Sequence, residues 1–285
     1  MSLVDLFTKL VADDDVAIPV AAIQVLLGVI ERSKAATMHG LDEELRSACT
    51  ELLRADPAML RGRTRISLAS GSELFLRHVT RTFLEFEDFE RCKAELLKRG
   101  ETFLGRSRDS RERIAALGHA FVRDGSVVLV HGRSRVVIAL LLRANETKQF
   151  KVLVTESTGF PSDFEDAGIA TRVVSDSAVG YFMERVDCVL VGAEGVVENG
   201  GVINKIGTLV VATCAHARAK PVYVAAESYK FARVYPLNQR DLPDDIDDAA
   251  PTCDYTPPHY IKLLFTDLGV LTPAAVSDEL IRLYS

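Results

Sequence analysis

The sequence has few cysteines, and none of them falls in a metal-binding or redox pattern. Its five cysteines are scattered over 285 residues, and no two of them have the Cys-X-X-Cys spacing. In a cytosolic protein, such cysteines are typically reduced, small core residues rather than disulfides or zinc ligands. We therefore expect no metal site and no disulfide.

Long hydrophobic runs are also missing. No uninterrupted apolar segment approaches the ~20 residues that a membrane-spanning helix needs. Residues 1–15 are acidic and amphipathic, which is not typical of a signal or transit peptide. The net charge of −6 gives the chain no overall attraction to nucleic acid or to an anionic membrane. We expect a cytoplasmic protein that binds neither nucleic acid nor membranes.

Three common motifs of nucleotide binding and catalysis are absent as well. There is no Gly-X-Gly-X-X-Gly after a predicted strand and no P-loop sequence, which argues against dinucleotide and P-loop nucleotide binding. The Gly-X-Ser-X-Gly elbow of hydrolases is also missing. Cys188 falls in a predicted strand and Cys214 in a predicted helix, so we interpret both as inert core thiols. We expect no cofactor.

The first 124 residues have the apolar spacing of helices. Apolar residues repeat at helical intervals from Val16 onward, over 41–55 and over 72–83. A longer helix is predicted over 88–123, where a glycine at position 100 or 105 could break it. Glu and Arg are frequent on this last helix, which is typical of a solvated or partner-facing surface.

From residue 125 onward, short apolar runs alternate with segments able to form helices. The runs predict five strands, at 126–131, 151–155, 171–174, 187–191 and 221–226. Alternation of this kind implies a parallel sheet covered by helices on both faces. The sequence thus predicts an α/β protein with an N-terminal helical domain, 1–124, and a parallel-sheet domain, 125–285. The acidic segment 241–254 is predicted to be a surface loop.

Residues 187–208 are the stretch around which the chain is predicted to be organised. A buried strand ends at 191, a loop with glycines at 192, 195, 200 and 201 follows, and a helix begins at Thr208. Ligands in open α/β sheets bind at such carboxyl ends of strands, and glycines let the backbone approach them closely. The alternative is a tight connection whose polar side chains are only solvated.

Polar residues also follow two other predicted strands. A helix is predicted to begin near Ser134, and its free N–H groups suit an anion. Because carboxyl ends of parallel strands share one edge, we predict a phosphate or sugar-phosphate pocket there. Its candidate residues are His131, Arg133, Ser134, Arg135, Thr155, Glu156, Ser157, Glu194, Asn204 and Lys205. The alternatives are that Arg133 is a surface arginine and His131 a hydrogen-bonded core histidine.

Three strings resemble the alpha subunits of eukaryotic translation initiation factor 2B. They are GAEGVVENGGVINKIGT at 192–208, AAESYKFARVYPLNQ at 225–239 and LLFTDLGVLTPAAVSDELIRLY at 263–284. The resemblance spans nearly the whole chain and implies a helical domain followed by a Rossmann-like α/β domain. It implies a regulatory, non-catalytic subunit of the guanine-nucleotide exchange complex that acts on initiation factor 2. It also implies a homodimer that joins two copies of that complex, contacts its other subunits and helps it sense phosphorylated initiation factor 2.

The family that the chain resembles is related in fold to isomerases that act on methylthioribose 1-phosphate or ribose 1,5-bisphosphate. Their pattern has an aspartate where this chain has Glu194, and a catalytic cysteine where it has Gly132. Proton transfer needs groups that are placed accurately, and a displacement of about 1 Å can lower the rate by two orders of magnitude. A chain that lacks both residues therefore lacks the proposed acid/base pair. We expect a vestigial sugar-phosphate pocket without catalysis. The alternative is an aldose–ketose isomerase acting on a pentose phosphate.

Two surfaces are expected to bind proteins. The segment 260–284 is rich in apolar residues, which predicts a homodimer interface, with ordinary core packing as the alternative. The charged surfaces of 43–54 and 85–113 are compatible with recognition of phosphorylated initiation factor 2. The alternative is that these charged residues are only solvated, which is more common for surface charges.

Overall fold

The computed structural model describes residues 2–13, 16–60, 64–158, 161–242 and 250–284. Contacts divide the chain into two compact units, Met1–Arg108 with Ile281–Ser285, and Asp109–Leu280. The predicted folding domains, 1–124 and 125–285, stay a prediction. Within the described residues, no helix is both long and apolar enough to cross a membrane.

Unit 1 is built from helices packed around α2. Its helices are α1 (Leu3–Val11), α2 (Ile18–Arg32), α3 (Met38–Arg54), α4 (Ile66–Glu85) and the first part of α5 (Phe89–Gly118). Ten of the 15 residues of α2 are buried, and this helix packs against α1, α3 and α4. A helix that is apolar on most of its surface is a core helix, and Pro19 is tolerated because it lies in the first turn.

Two details of the helix prediction were wrong. The helix α4 begins at Ile66, six residues before the predicted start, because its first turns bury small serines such as Ser70, whose hydroxyl donates to the Ile66 carbonyl at 2.7 Å. The helix α5 is continuous from Phe89 to Gly118, so it ends before the predicted residue 123 and has no break at Gly100 or Gly105. A Cβ atom at Gly100 would lie 2.2 Å from Leu27 Cδ2, so this glycine allows α2 and α5 to pack closely.

Unit 2 contains the remaining elements, which form two sheets and their covering helices. The strands are β1 (Val127–His131), β2 (Lys151–Thr155), β3 (Ala170–Val174), β4 (Cys188–Val191), β5 (Gly195–Val197), β6 (Val202–Lys205), β7 (Val222–Ala225), β8 (Phe231–Ala232), β9 (Cys253–Thr256), β10 (Leu263–Thr266) and β11 (Gly269–Leu271). The further helices are α6 (Arg135–Asn145), α7 (Ser162–Glu165), α8 (Val179–Phe182), α9 (Thr208–Ala217) and α10 (Ala275–Tyr284), the last of which ends in unit 1.

The larger sheet has the order β11-β10-β7-β4-β1-β2-β3. All neighbouring pairs are parallel except β10 and β11. The chain starts in the middle at β1, moves outward to β2 and β3, and returns to β4 on the other side of β1. The order therefore reverses between β1 and β4, which is where open α/β sheets bind ligands. The five predicted strands are present, and the predicted α/β fold class is confirmed.

A smaller sheet, with the order β8-β5-β6-β9, was missed. The predicted loop after β4 contains β5 and β6, which pair antiparallel. Strands of two to four residues are too short to show a periodic pattern. The predicted acidic surface loop is also corrected in part: residues 243–249 lie outside the described residues, but Cys253 and Asp254 are buried in β9.

Much of the apolar C-terminal segment packs within the chain. Leu264 and Phe265 of β10 and Val276 of α10 are buried. The side chains of Leu268 and Val270 are still 40% and 37% exposed. Core packing thus explains part of the segment, and the homodimer stays a proposal.

Candidate functional site

His131 ends β1 and has a hydrogen-bond partner at each ring nitrogen. Its Nε2 lies 2.9 Å from the Ile206 carbonyl oxygen, and its Nδ1 lies 2.8 Å from the Thr155 hydroxyl. Because a carbonyl only accepts, the proton of the neutral ring is on Nε2, and Nδ1 accepts from Thr155. Burial lowers the pKa of His131, which favours this neutral form. The ring links β1 and β2 to the turn before α9, as a core histidine does.

Arg133 is held in an ion pair. Its Nε donates to Asp163 Oδ2 at 2.9 Å, and its Nη2 donates to Oδ1 at 3.3 Å. This two-bonded geometry is the one that guanidinium groups also offer to phosphate. A phosphate ligand of Arg133 would therefore have to compete with Asp163, which lies 30 residues away in the sequence.

The start of α6 lies against the end of β4. The Ser134 hydroxyl accepts from the Val137 N–H at 3.4 Å and so acts as the N-cap, while Arg135 is the first helical residue. A Cβ atom at Gly192 would lie 2.6 Å from Ser134 Cβ, so only glycine allows this approach. Since the strand order reverses between β1 and β4, the first turn of α6 lies at the reversal point.

Two polar residues follow β2, of which one has hydrogen-bond partners for its side chain and the other has none among the described residues. Glu156 Oε1 accepts from the Ser175 hydroxyl at 2.7 Å and from the Asp176 N–H at 3.2 Å, so it fixes the loop after β3. Ser157 differs, because its hydroxyl oxygen is buried and no described residue is its hydrogen-bond partner. An unpaired buried hydroxyl is costly, so it is a candidate ligand-binding group.

Asn204 and Lys205 reach the same place from β6. The ammonium group of Lys205 donates to the Ser157 carbonyl oxygen, and Asn204 Nδ2 donates to the Thr208 hydroxyl at 3.2 Å. A Cβ atom at Gly132 would lie 3.5 Å from Lys205 Cβ and 3.6 Å from Asn204 Nδ2. The structure thus brings together the residues that follow β1, the loop after β2 and the end of β6.

Glu194 has a different neighbour. Its backbone N–H donates to the Ile203 carbonyl at 2.9 Å, and its carboxylate accepts from the Cys253 thiol. Burial first, and then the nearby Glu194 charge, raise the pKa of Cys253 above its ordinary value. The side chain of Glu194 is therefore engaged with β9.

Asp254 is a site residue that the sequence prediction missed. Its Oδ2 accepts from the N–H groups of Gly207 at 2.8 Å and Leu209 at 3.1 Å, which stabilises the start of α9. Burial raises the pKa of Asp254 to about 6, although these two bonds oppose the rise. No described residue is a hydrogen-bond partner of its buried Oδ1. The acidic run before β9 gave no sign of a buried carboxylate.

A second missed group follows β7. Glu227 is buried, accepts from the Tyr229 hydroxyl at 2.9 Å, and has Lys230 Nζ 2.8 Å from its Oε2. Burial favours the neutral acid, but the Lys230 charge and these hydrogen bonds outweigh it and lower the pKa of Glu227. Ser228 donates twice to Asp267, each time at 2.7 Å, which joins the ends of β7 and β10. The strings 225–239 and 263–284 contain these residues but do not show that they are paired.

The thiols offer no obvious nucleophile. Burial raises the pKa of Cys188 to about 12, and all five cysteines are free. At the end of β1, Gly132 has φ +75°, a conformation that residues with a Cβ atom rarely adopt. Nowhere in the described part of the chain do three His, Cys, Asp or Glu side chains gather in a way that could hold a metal ion.

Comparison with known proteins gives two kinds of relative. The chain is 44% identical to "Translation initiation factor eIF2B subunit alpha" of Dictyostelium discoideum, over 95% of this chain and 93% of that protein. It is 30% identical to "Ribose 1,5-bisphosphate isomerase" of Archaeoglobus fulgidus, over 81% of this chain and 77% of that protein.

The fold is also found among solved structures. A chain of the tetrameric eIF2B-beta2-delta2 complex from C. thermophilum aligns with a TM-score of 0.85 and 22% identity, and the alignment covers 100% of this chain and 96% of that chain. Residues 12–273 match the family model described as "Initiation factor 2 subunit family". That match covers most of the chain, which therefore belongs to the initiation factor 2 subunit family.

Proposed function

We propose that this chain is a regulatory, non-catalytic subunit of the exchange complex that acts on initiation factor 2, and that it works in the cytoplasm. The observation that carries the proposal is the 44% identity to a protein named as the alpha subunit of eIF2B, over 95% of the chain. Because the relative is matched almost end to end, both units of this chain have a counterpart in it.

Two positions of the chain differ from the related isomerases in residues needed for catalysis. Gly132 stands where the related isomerases carry a catalytic cysteine, and its φ of +75° would strain any residue with a Cβ atom. Glu194 stands where they carry an aspartate, and its carboxylate accepts from Cys253. Neither the thiol nor a free shorter carboxylate is therefore available at these positions for proton transfer.

The carboxyl edge of the larger sheet is proposed to bind a phosphate or sugar phosphate without turning it over. Lys205 supplies a cation, the first turn of α6 supplies N–H groups, and Ser157 supplies a buried hydroxyl without a partner among the described residues. Bound phosphate oxygens would satisfy that hydroxyl. The ion pair of Arg133 with Asp163 gives this arginine a smaller role than the sequence suggested.

Partner proteins are proposed from the family. The chain would form a homodimer, bind the other subunits of the exchange complex, and help them sense phosphorylated initiation factor 2 through unit 1. Exposed charges on α3 and on the unit 1 part of α5 support this, since Glu51 and Arg91 both face solvent. Charge reversals at these two residues should weaken binding of the phosphorylated partner by the assembled complex.

One experiment tests the function and a second tests the alternative. The tagged chain should recover the other exchange-factor subunits from a cell extract, and recovery of none of them would contradict the proposal. Incubation with ribose 1,5-bisphosphate and with methylthioribose 1-phosphate should give no turnover. Turnover at ordinary enzymic rates, on the order of 1–1000 per second, would favour the isomerase.

A further inference from the structure

Unit 1 contains a cavity of about 460 Å³ between α4 and α5, which we call the α4–α5 cavity. Small-molecule pockets usually measure roughly 300–1,000 Å³ and are lined mainly by apolar side chains. The apolar part of its lining consists of Ile23, Leu74, Phe75, Phe103 and Leu283. The cavity is therefore large enough, and apolar enough, to take the body of a small organic molecule.

The charged part of the same lining is strongly positive. It contains five cations and one carboxylate, Glu95. The cations are Arg77, Arg81, Lys98, Arg99 and Arg106. The whole chain has a net charge of −6, so this concentration of positive charge is local and opposite in sign to the rest of the protein. Such a concave surface attracts anions.

Internal ion pairs neutralise only part of this charge. Arg99 is held by Glu85 at 2.7 Å and by Glu95 at 2.8 Å. Arg81 and Lys98 lie 3.7 and 3.8 Å from the same two carboxylates, and their side chains are 61% and 77% exposed. Glu85 and Glu95 are thus shared among three cations, Arg81, Lys98 and Arg99. The positive charge that is left over lies beside the apolar lining.

His78 adds a polar atom that has no partner. Its Nε2 is buried, and none of the described residues forms a hydrogen bond with it. Burial first, and then the Arg99 charge, lower the pKa of His78, so its ring is neutral near pH 7. A neutral imidazole with its proton on Nε2 can donate to an anionic oxygen. Since buried polar atoms are normally paired, this nitrogen indicates a missing ligand group.

From this combination, we propose that the α4–α5 cavity binds a small amphiphilic anion, with a carboxylate or phosphate head and an apolar body. The head would lie among Arg81, Lys98 and Arg106, and the body would contact Phe75 and Phe103. The site belongs to unit 1, whereas the candidate phosphate-binding residues of the carboxyl edge belong to unit 2. A concave cavity with an apolar lining fits a small molecule better than an acidic peptide, for which charge alone would suffice.

Octanoate is a suitable probe because it has a carboxylate head and an apolar chain. Octanol is the control without the charge, and acetate is the control without the apolar chain. Titration calorimetry on the full chain should show saturable binding of one octanoate, at least tenfold tighter than octanol or acetate. Ribose 5-phosphate should not displace it. Absence of saturable octanoate binding, equal affinity for octanol, or displacement by ribose 5-phosphate would overturn the proposal.

A matched pair of variants tests whether octanoate binds in the α4–α5 cavity. Arg106 lines the cavity, whereas Arg108 is exposed on the same helix outside the lining, so both changes remove one positive charge from α5. Arg106→Ala should weaken octanoate binding at least fivefold, and Arg108→Ala should leave it unchanged. Equal losses in the two variants would show a general charge effect and contradict the site.

His78→Phe tests the unpaired nitrogen. It keeps a ring of similar shape and removes the buried polar atom, so the unliganded protein should melt at the same or a higher temperature. Octanoate affinity should fall at least threefold, and unchanged affinity would contradict the role of His78. If hexaglutamate bound through Arg106 while octanoate did not, the surface would be a protein-docking site and the small-molecule proposal would be wrong.

Discussion

Ser157 and Lys205 are the side chains of the carboxyl edge that a ligand would change most. The Lys205 ammonium is already placed by the Ser157 carbonyl, and the Ser157 hydroxyl is buried without a partner among the described residues. By contrast, both ring nitrogens of His131 have partners within the chain. Ligand binding should therefore depend on Lys205, while His131 serves the fold.

We expect Lys205→Ala to abolish the thermal stabilisation by a sugar phosphate. A ligand at one hundred times its Kd adds about 2.7 kcal/mol to the free energy of unfolding, so wild type should melt several degrees higher with ligand. Differential scanning fluorimetry with a panel of pentose and hexose phosphates measures this.

Lys262→Ala is the control, because Lys262 is an exposed lysine just before β10, at the opposite end of the strands. Its thermal shift should equal that of wild type. If wild type shows no shift at millimolar concentrations of any sugar phosphate, the segments that follow β1, β2 and β4 only connect the elements and bind no ligand.

Asp254 should make the stability of the fold depend on pH. Burial raises its pKa to about 6 in the folded protein from the ordinary value of 3.8, so the folded state binds more protons between these values. The stabilisation is fully present below the unfolded pKa and is lost as the pH rises through about 6. From pH 4.5 to 7.5, this loss is about 2 kcal/mol.

Asp254→Asn isolates that contribution, because an amide does not titrate and its oxygen can still accept from Gly207 and Leu209. The free energy of unfolding of the variant, relative to wild type, should rise by about 2 kcal/mol between pH 4.5 and 7.5. Urea denaturation at the two pH values checks this. A difference that does not change with pH would mean that Asp254 is ionised in the fold throughout.

Among the elements, α5 contains two glycines whose substitution should have opposite effects. At Gly100, a Cβ atom would lie 2.2 Å from buried Leu27, whereas at Gly105 it would meet nothing within 4 Å. Overpacking costs about 1–3 kcal/mol, and Ala is better than Gly in a helix by about 1 kcal/mol. Gly105→Ala should thus stabilise by up to about 1 kcal/mol, and Gly100→Ala should destabilise. Chemical denaturation of the two variants compares them; stabilisation by Gly100→Ala would show that Leu27 moves aside freely.

The elements also show which parts of the fold a sequence can predict. The strands β1, β2, β3, β4 and β7 each have four or five residues and mostly apolar side chains, so local composition was enough to find them. The strands β5, β8 and β11 have two or three residues and are strands only because other strands pair with them, β10 next to β11 and β5 with the distant β8.

The candidate site was predicted only in part for the same reason. Its location followed from the sheet, because parallel strands place their carboxyl ends at one edge. Its pairings did not, since Arg133–Asp163 and Lys205–Ser157 join residues 30 and 48 positions apart. Such long-range contacts are set by the folded backbone and not by any local motif.

At the scale of the whole molecule, each edge strand of the larger sheet has an exposed valine, and either edge could contact a second copy of the chain. Val270 of β11 is 37% exposed, and Val173 of β3 is 47% exposed, at the opposite edge. Exposed apolar groups at the edge of a sheet favour association with another chain. The C-terminal segment contains β11, so the proposed homodimer would use this edge and leave β3 free.

Sedimentation velocity at micromolar concentration should give a dimer for wild type. Val270→Asp would place a charge in the interface, where burying it without a partner is strongly unfavourable, so this variant should shift toward the monomer. Val173→Asp introduces the same charge at the other edge and should sediment as wild type does. A wild-type monomer would exclude the homodimer, and dissociation by Val173→Asp alone would place the interface at β3, away from the C-terminal segment.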